Sequence, residues 1–151
     1  MKLMDVVIPT GVIRSGMSIG EAYRACVTHN VAGLPFCDAT GAIVGRFSLR
    51  YTFRKHCIPN DMVDNAHMLG DTIACEDALE VASGNMLNLS VDDYIIENVA
   101  TITPTSPVVK ALSIMEKFNS SYLFLLENGH YIGVITRMRI ANLMLKHHKL
   151  L

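Results

Sequence analysis

No apolar run in the chain approaches the ~18 residues needed to span a bilayer. The opening Met1-Lys2-Leu3-Met4-Asp5 carries no signal-peptide core. Both absences lead to the expectation of a cytoplasmic location without a membrane partner. Charge of one sign is also missing: 13 Lys and Arg stand against 14 Asp and Glu, a formal net charge of -1. With no long basic run, a nucleic-acid surface is not expected. Two short basic groups remain, Arg46/Arg50/Arg54/Lys55 and Lys146/His147/His148/Lys149, and solvated helix ends account for both. Cys26, Cys37, Cys57 and Cys75 lack C-x-x-C spacing. They read as reduced thiols, with Cys26 and Cys37 buried, rather than as a disulfide frame. The histidines form no i, i+4 pair and have no ligand-spaced Cys or carboxylate, so no metal site is expected. P-loop and Rossmann signatures are absent, and the G-x-S-x-G string Gly16-Met17-Ser18-Ile19-Gly20 puts its serine at a helix start, as a cap. No catalytic centre and no required cofactor are therefore expected.

What the chain does contain is an internal repeat. Residues 11–56 can be laid over residues 100–144 with one residue skipped in a turn. In the first copy Ile19, Ala22, Tyr23, Cys26 and Val27 fall on one helical face; Val108, Ala111, Leu112 and Met115 repeat that spacing. Ser18 and Pro107 open these helices, as a capping hydroxyl and a proline should. Short apolar runs at 34–37 and 123–126 read as buried strands. Turns containing Gly41 and Gly129 follow, then second strands at 42–47 and 130–135. Ser48 and Thr136 are expected to cap the helices after them. Each copy is thus strand–helix–strand–strand–helix, and two copies can bury their apolar sheet faces together. The class is α/β, or α+β by stricter naming. The organisation is repeat 1 at 1–56, a connecting segment at 57–90 and repeat 2 at 91–151. Within the connector, Asp61 to Leu69 and Cys75 to Ser83 are expected to be helical, with Gly70 and Gly84 as C-caps.

This pattern resembles a tandem pair of cystathionine β-synthase (CBS) domains, a Bateman module. The residues that carry it are Leu34-Pro35-Phe36-Cys37-Asp38-Ala39-Thr40-Gly41-Ala42-Ile43-Val44-Gly45 and Glu127-Asn128-Gly129-His130-Tyr131-Ile132-Gly133-Val134-Ile135-Thr136. The resemblance implies two clefts between the repeats, a homodimer, and an adenosine ligand such as AMP, ADP, ATP or S-adenosylmethionine. By family analogy one cleft would use Thr136 and Arg139 with Gly11, Val31, Ala32 and Gly33. The other would use Ser48 and Tyr51 with Ala100, Ser120, Ser121 and Tyr122. The family places an Asp for the ribose hydroxyls three residues after the capping hydroxyl. Here those positions are Tyr51 and Arg139. Arginine only donates hydrogen bonds, so ribose recognition of the family kind does not carry over. Arg139 suits a phosphate, or else faces solvent or pairs with an acid such as Glu97. Tyr51 stacks on a ligand or plugs its cleft. Phe124, standing where the first copy has Pro35, is bulky enough to fill ligand space.

Two functions follow. One is a regulatory module that binds an adenine nucleotide, better at the Thr136 cleft, and signals by changed packing or oligomerisation. The other is a ligand-free dimerisation module whose clefts are filled by Tyr51, Tyr122 and Phe124. Neither is an enzyme, and the output is expected to go through an unknown protein partner or through the oligomer.

Overall fold

The computed structural model describes residues 1–68, 70 and 83–151. The first copy comprises β1 (Ile13–Arg14), α1 (Ile19–His29), β2 (Gly33–Cys37), β3 (Ile43–Ser48) and α2 (Leu49–Thr52), which widens into a π-helical turn over Phe53–Cys57. After α3 (Asn60–Asp64), the second copy comprises β4 (Thr101–Ile102), α4 (Val108–Lys117), β5 (Tyr122–Glu127), β6 (His130–Thr136) and α5 (Arg137–His147). Each copy builds a three-stranded sheet of the same order, β1-β2-β3 and β4-β5-β6. In both, the first pair is parallel and the second antiparallel.

The local signals act as their chemistry requires. Ser18 Oγ accepts from the Glu21 N–H at 3.0 Å, Ser48 Oγ from Tyr51 at 3.2 Å and Thr136 Oγ1 from Arg139 at 3.2 Å. Gly41 and Gly129 adopt φ of 87° and 79° in the two hairpins. Ile19, Ala22 and Cys26 are buried, but Val27 is 74% exposed. At 100° per residue, Val27 lies about 100° from the centre of the buried stripe and falls off its edge. Cys26 and Cys37 are buried, and burial pushes the Cys26 thiol up to about 11. In the connector, the helix expected from Asp61 is the short α3, followed by a 3-10 turn at Ala66–Met68. The helix expected from Cys75 lies outside the described residues up to Ser83. Gly84 sits within a helical turn over 83–86 rather than ending one.

The segment that leads into each copy packs on the other copy. Ile8 exchanges two backbone hydrogen bonds with Val134 of β6, both 2.9 Å. Ile96 does the same with Arg46 of β3, at 2.8 and 3.0 Å. Leu3 and Val6 are buried in the core of the second copy. Met86 and Val91 are buried in the core of the first. Burying each such side chain stabilises by about 2 kcal/mol, so each half contributes to the core of the other. Gly45 and Gly133 hold equivalent places in β3 and β6, where the exchanged segments cross. A Cβ at Gly133 would meet the Ile8 carbonyl, and one at Gly45 the Ile95 side chain and Ile96 carbonyl.

Tyr131 fastens the first of these crossings, its Oη 2.5 Å from Thr10 Oγ1. Desolvation by burial pushes its phenol from 10.0 up to about 12. The folded value lies above the unfolded one, so the contribution is complete below pH 10.0 and is lost as pH rises toward about 12. Urea denaturation across that window should show stability falling with pH. In Tyr131→Phe the fall should be shallower; an unchanged slope would remove Tyr131 from the account.

Candidate functional site: two unequal clefts

The antiparallel register sets the two candidate clefts. Gly33 pairs with Ser48 in the first sheet and Tyr122 with Thr136 in the second. The capping hydroxyl of each copy therefore lies beside the start of its own middle strand. Gly33 and Tyr122 also meet across the seam: the Tyr122 ring covers Gly33, and a Cβ there would strike it.

The Ser48 cleft has a volume of about 390 Å³. Ala32, Ser48 and Tyr51 of the first copy and Ser120, Ser121 and Tyr122 of the second come together in it. Ile96, Phe118 and Asn119 complete the wall with Arg46, Arg50 and Arg54. Tyr51 is half-buried on this wall and does not fill the space. Arg46 is held from two sides: its Nε donates to the Asn98 carbonyl at 2.8 Å and its Nη1 to Tyr122 Oη at 2.6 Å. Arg54 Nη1 donates to the Ile58 carbonyl at 2.9 Å and its Nη2 to Asn60 Oδ1 at 2.5 Å. No carboxylate lines the cleft among the described residues. Ala100 accepts from the Phe124 N–H at 3.4 Å and lines a void of about 20 Å³ behind Arg46 and Tyr122.

The Thr136 cleft measures about 150 Å³ and is lined by Ile8, His29, Asn30, Thr136, Met138 and Arg139. Arg139 is exposed, with its Nε 3.5 Å from the Val6 carbonyl. The sequence grouped Gly11, Val31, Ala32 and Gly33 with Thr136, and the structure arranges them differently. Ala32 faces the Ser48 cleft, because its carbonyl accepts the Leu49 N–H at 3.0 Å. Val31 is in the core of the first copy, Gly33 lies under Tyr122, and exposed Gly11 lines neither cleft. The sequence also favoured the Thr136 side for an anion. By volume and charge, the Ser48 side is the larger and more cationic. Phe124 is buried in the seam, 5.6 Å from the Tyr122 ring and 6.0 Å from that of Tyr131, and leaves the Ser48 cleft open.

Sequence reasoning treated Arg46, Arg50 and Arg54 as a solvated helix end. A signal was present: residues 46–55 contain no acid, and the equivalent positions in the second copy are Val134, Met138 and Asn142. Asn30 and Asn119 were also missed. They end α1 and α4 with φ of 53° and 48° and line equivalent corners of the two clefts. No group of three or more His, Cys, Asp or Glu able to hold a metal occurs among the described residues. Nor is any helix among them long and apolar enough to cross a membrane.

A family model for the CBS domain matches residues 91–146. No curated protein matches the chain. Among solved structures, the CBS domain of a CBS domain-containing membrane protein from Sphaerobacter thermophilus aligns with a TM-score of 0.66 at 18% identity, over 95% of this chain and 87% of that one. CBSX2 in complex with AMP aligns at 0.64 and 18% identity, over 97% and 98% of the two chains. The CBS domain pair of protein MJ0100, in complex with 5'-methylthioadenosine and S-adenosyl-L-methionine, aligns at 0.63 and 20% identity, over 95% and 99%. Residues 91–146 match the CBS-domain family, and the chain as a whole has the fold of a tandem CBS-domain pair, the arrangement called a Bateman module.

Proposed function

We propose that the chain is a regulatory module, not an enzyme, that binds an adenine nucleotide in the cleft bounded by Ser48, Ser120 and Tyr122. The supporting observation is that cleft itself: about 390 Å³, built from both repeats, with three guanidiniums on its wall. Its size lies within the range of small-molecule sites. Ile96, Ala32 and the Tyr122 ring offer apolar surface for a base, and the arginines offer donors for phosphates. The AMP bound to CBSX2 and the adenosine compounds bound to the MJ0100 pair favour the same ligand class. Any ligand here touches both halves, since Ile96 and Tyr122 come from the far side of the seam. Binding would therefore favour one packing of the repeats over another, or one state of a homodimer. Met138 and Met144, exposed on α5, offer apolar surface for such a dimer.

Calorimetric titration with AMP, ADP, ATP and S-adenosylmethionine tests the reading. Saturable heat with at least one of them is expected. No heat with any of the four at about millimolar concentration, the weak limit for a specific ligand, would overturn it. Sedimentation velocity with and without the ligand then reports whether the output is oligomeric.

A further inference from the structure

The hydrogen-bonding character of the Ser48 cleft specifies more than its ligand class. Its charged groups are all donors: Arg46, Arg50 and Arg54, spaced four residues apart, with no carboxylate among the described lining residues. None of the three pairs with an acid among the described residues, where the one ion pair is Arg137–Glu116. Two of the guanidiniums are already oriented, Arg46 by Asn98 and Tyr122 and Arg54 by Ile58 and Asn60. These partners are neutral and leave the positive charge uncompensated. The acceptors, by contrast, are all neutral: the hydroxyls of Ser48, Tyr51, Ser120, Ser121 and Tyr122 and the amide of Asn119. Ser48 Oγ takes the Tyr51 N–H at 3.2 Å; Ser120 Oγ takes the Tyr122 N–H at 3.3 Å and donates to the Tyr122 carbonyl at 2.8 Å. A ribose diol needs acceptors for two hydroxyl protons, and a site discriminates strongly against loss of a hydroxyl only when it bonds that hydroxyl. A phosphate chain needs donors and positive charge, which this wall supplies three times over.

Resting on the nucleotide reading above, we propose that this cleft ranks ligands by phosphate count and not by the sugar. It takes nucleoside di- and triphosphates, ribo and 2'-deoxy alike, and passes over the cationic sulfonium of S-adenosylmethionine.

The test is competition and direct titration of the whole chain with magnesium-free ATP, dATP, AMP, S-adenosylmethionine and inorganic tripolyphosphate. ATP and dATP should bind within about threefold of each other, since no carboxylate lines the cleft among the described residues to accept both diol protons. AMP should bind about tenfold or more weakly, having lost charge-assisted hydrogen bonds. Tripolyphosphate should displace ATP. Arg50→Gln and Arg54→Gln change exposed side chains and should fold; each should weaken ATP about tenfold while affecting AMP less. A tenfold preference for ATP over dATP, or AMP binding as tightly as ATP, would overturn the proposal. Should tripolyphosphate bind in an Arg50-dependent way while no nucleotide does, the nucleotide reading fails and the polyanion assignment stands. Should neither tripolyphosphate nor ATP bind, this proposal fails, and the nucleotide reading fails with it only if AMP, ADP and S-adenosylmethionine are silent too.

Discussion

Gly45→Val is expected to cost the protein both stability and its Ser48 cleft, whereas Gly133→Val should cost similar stability and spare that cleft. The two glycines are equivalent by repeat, but each is crossed by a different segment. At Gly45 a side chain would drive into the Ile95 side chain and Ile96 carbonyl; at Gly133 it would drive into the Ile8 carbonyl. Backbone cannot step aside as a flexible side-chain end can. Overpacking costs about 1–3 kcal/mol, and losing the pair of backbone bonds at either crossing adds about 1 kcal/mol each. Each variant should therefore lose about 3 kcal/mol or more, a fall in Tm of roughly 10 °C for a chain of this size. The difference lies in what is displaced. Ile96 is part of the wall of the Ser48 cleft, and its partner there is Arg46. Ile8 is part of the wall of the smaller Thr136 cleft. Thermal melts and ATP titration of the two variants, below their melting points, check the contrast. Equal loss of binding in both would show that the clefts are not walled independently.

Much of this architecture was legible because it is local. Ser18, Ser48 and Thr136 each satisfy an N–H three residues ahead, and a polar side chain before an apolar period announces that. The strands were legible from run length and bounding turns. The exchange of Leu3 and Val6 for Met86 and Val91 was not, because nothing within a short window says which copy's core a side chain enters. The same limit misplaced Ala32. Its cleft is chosen by the pairing of Gly33 with Ser48, a hairpin register whose consequence for the cleft appears only in three dimensions. Arg46, Arg50 and Arg54 show the opposite failure. Their spacing was plain, but a charged stripe is usually solvated, and only the neighbouring copy converts this one into a wall. Tyr51 was legible as a departure from the Asp of the CBS-pair pattern the chain resembles, but its place on the wall of an open cleft was not.

Phe124→Ala is expected to lower stability by about 3–5 kcal/mol, the range for truncating a fully buried ring, and to do so in one cooperative transition. Phe124 belongs to the second copy by sequence but is 1% exposed within the core cluster of the first. Its ring lies against Tyr122 and Tyr131, the two tyrosines that tie the seam through Arg46 and Thr10. Removing it would open a cavity beside the small void behind Arg46 and Tyr122. The cost is then shared by both halves, because neither copy has a core free of the other's side chains. Urea denaturation followed by tyrosine fluorescence and far-UV circular dichroism should give coincident transitions in wild type and variant alike. Two separated transitions would mean that the halves fold independently and that the exchanged segments are decoration. Phe124→Leu is the control for volume. It retains most of the apolar bulk and should cost less than about 1.5 kcal/mol. If the smaller loss leaves ATP affinity unchanged while Phe124→Ala reduces it, the ring acts by holding Tyr122 and Arg46 in place at the cleft wall. If both variants bind as wild type does, the Phe124 ring does not couple the seam to the cleft.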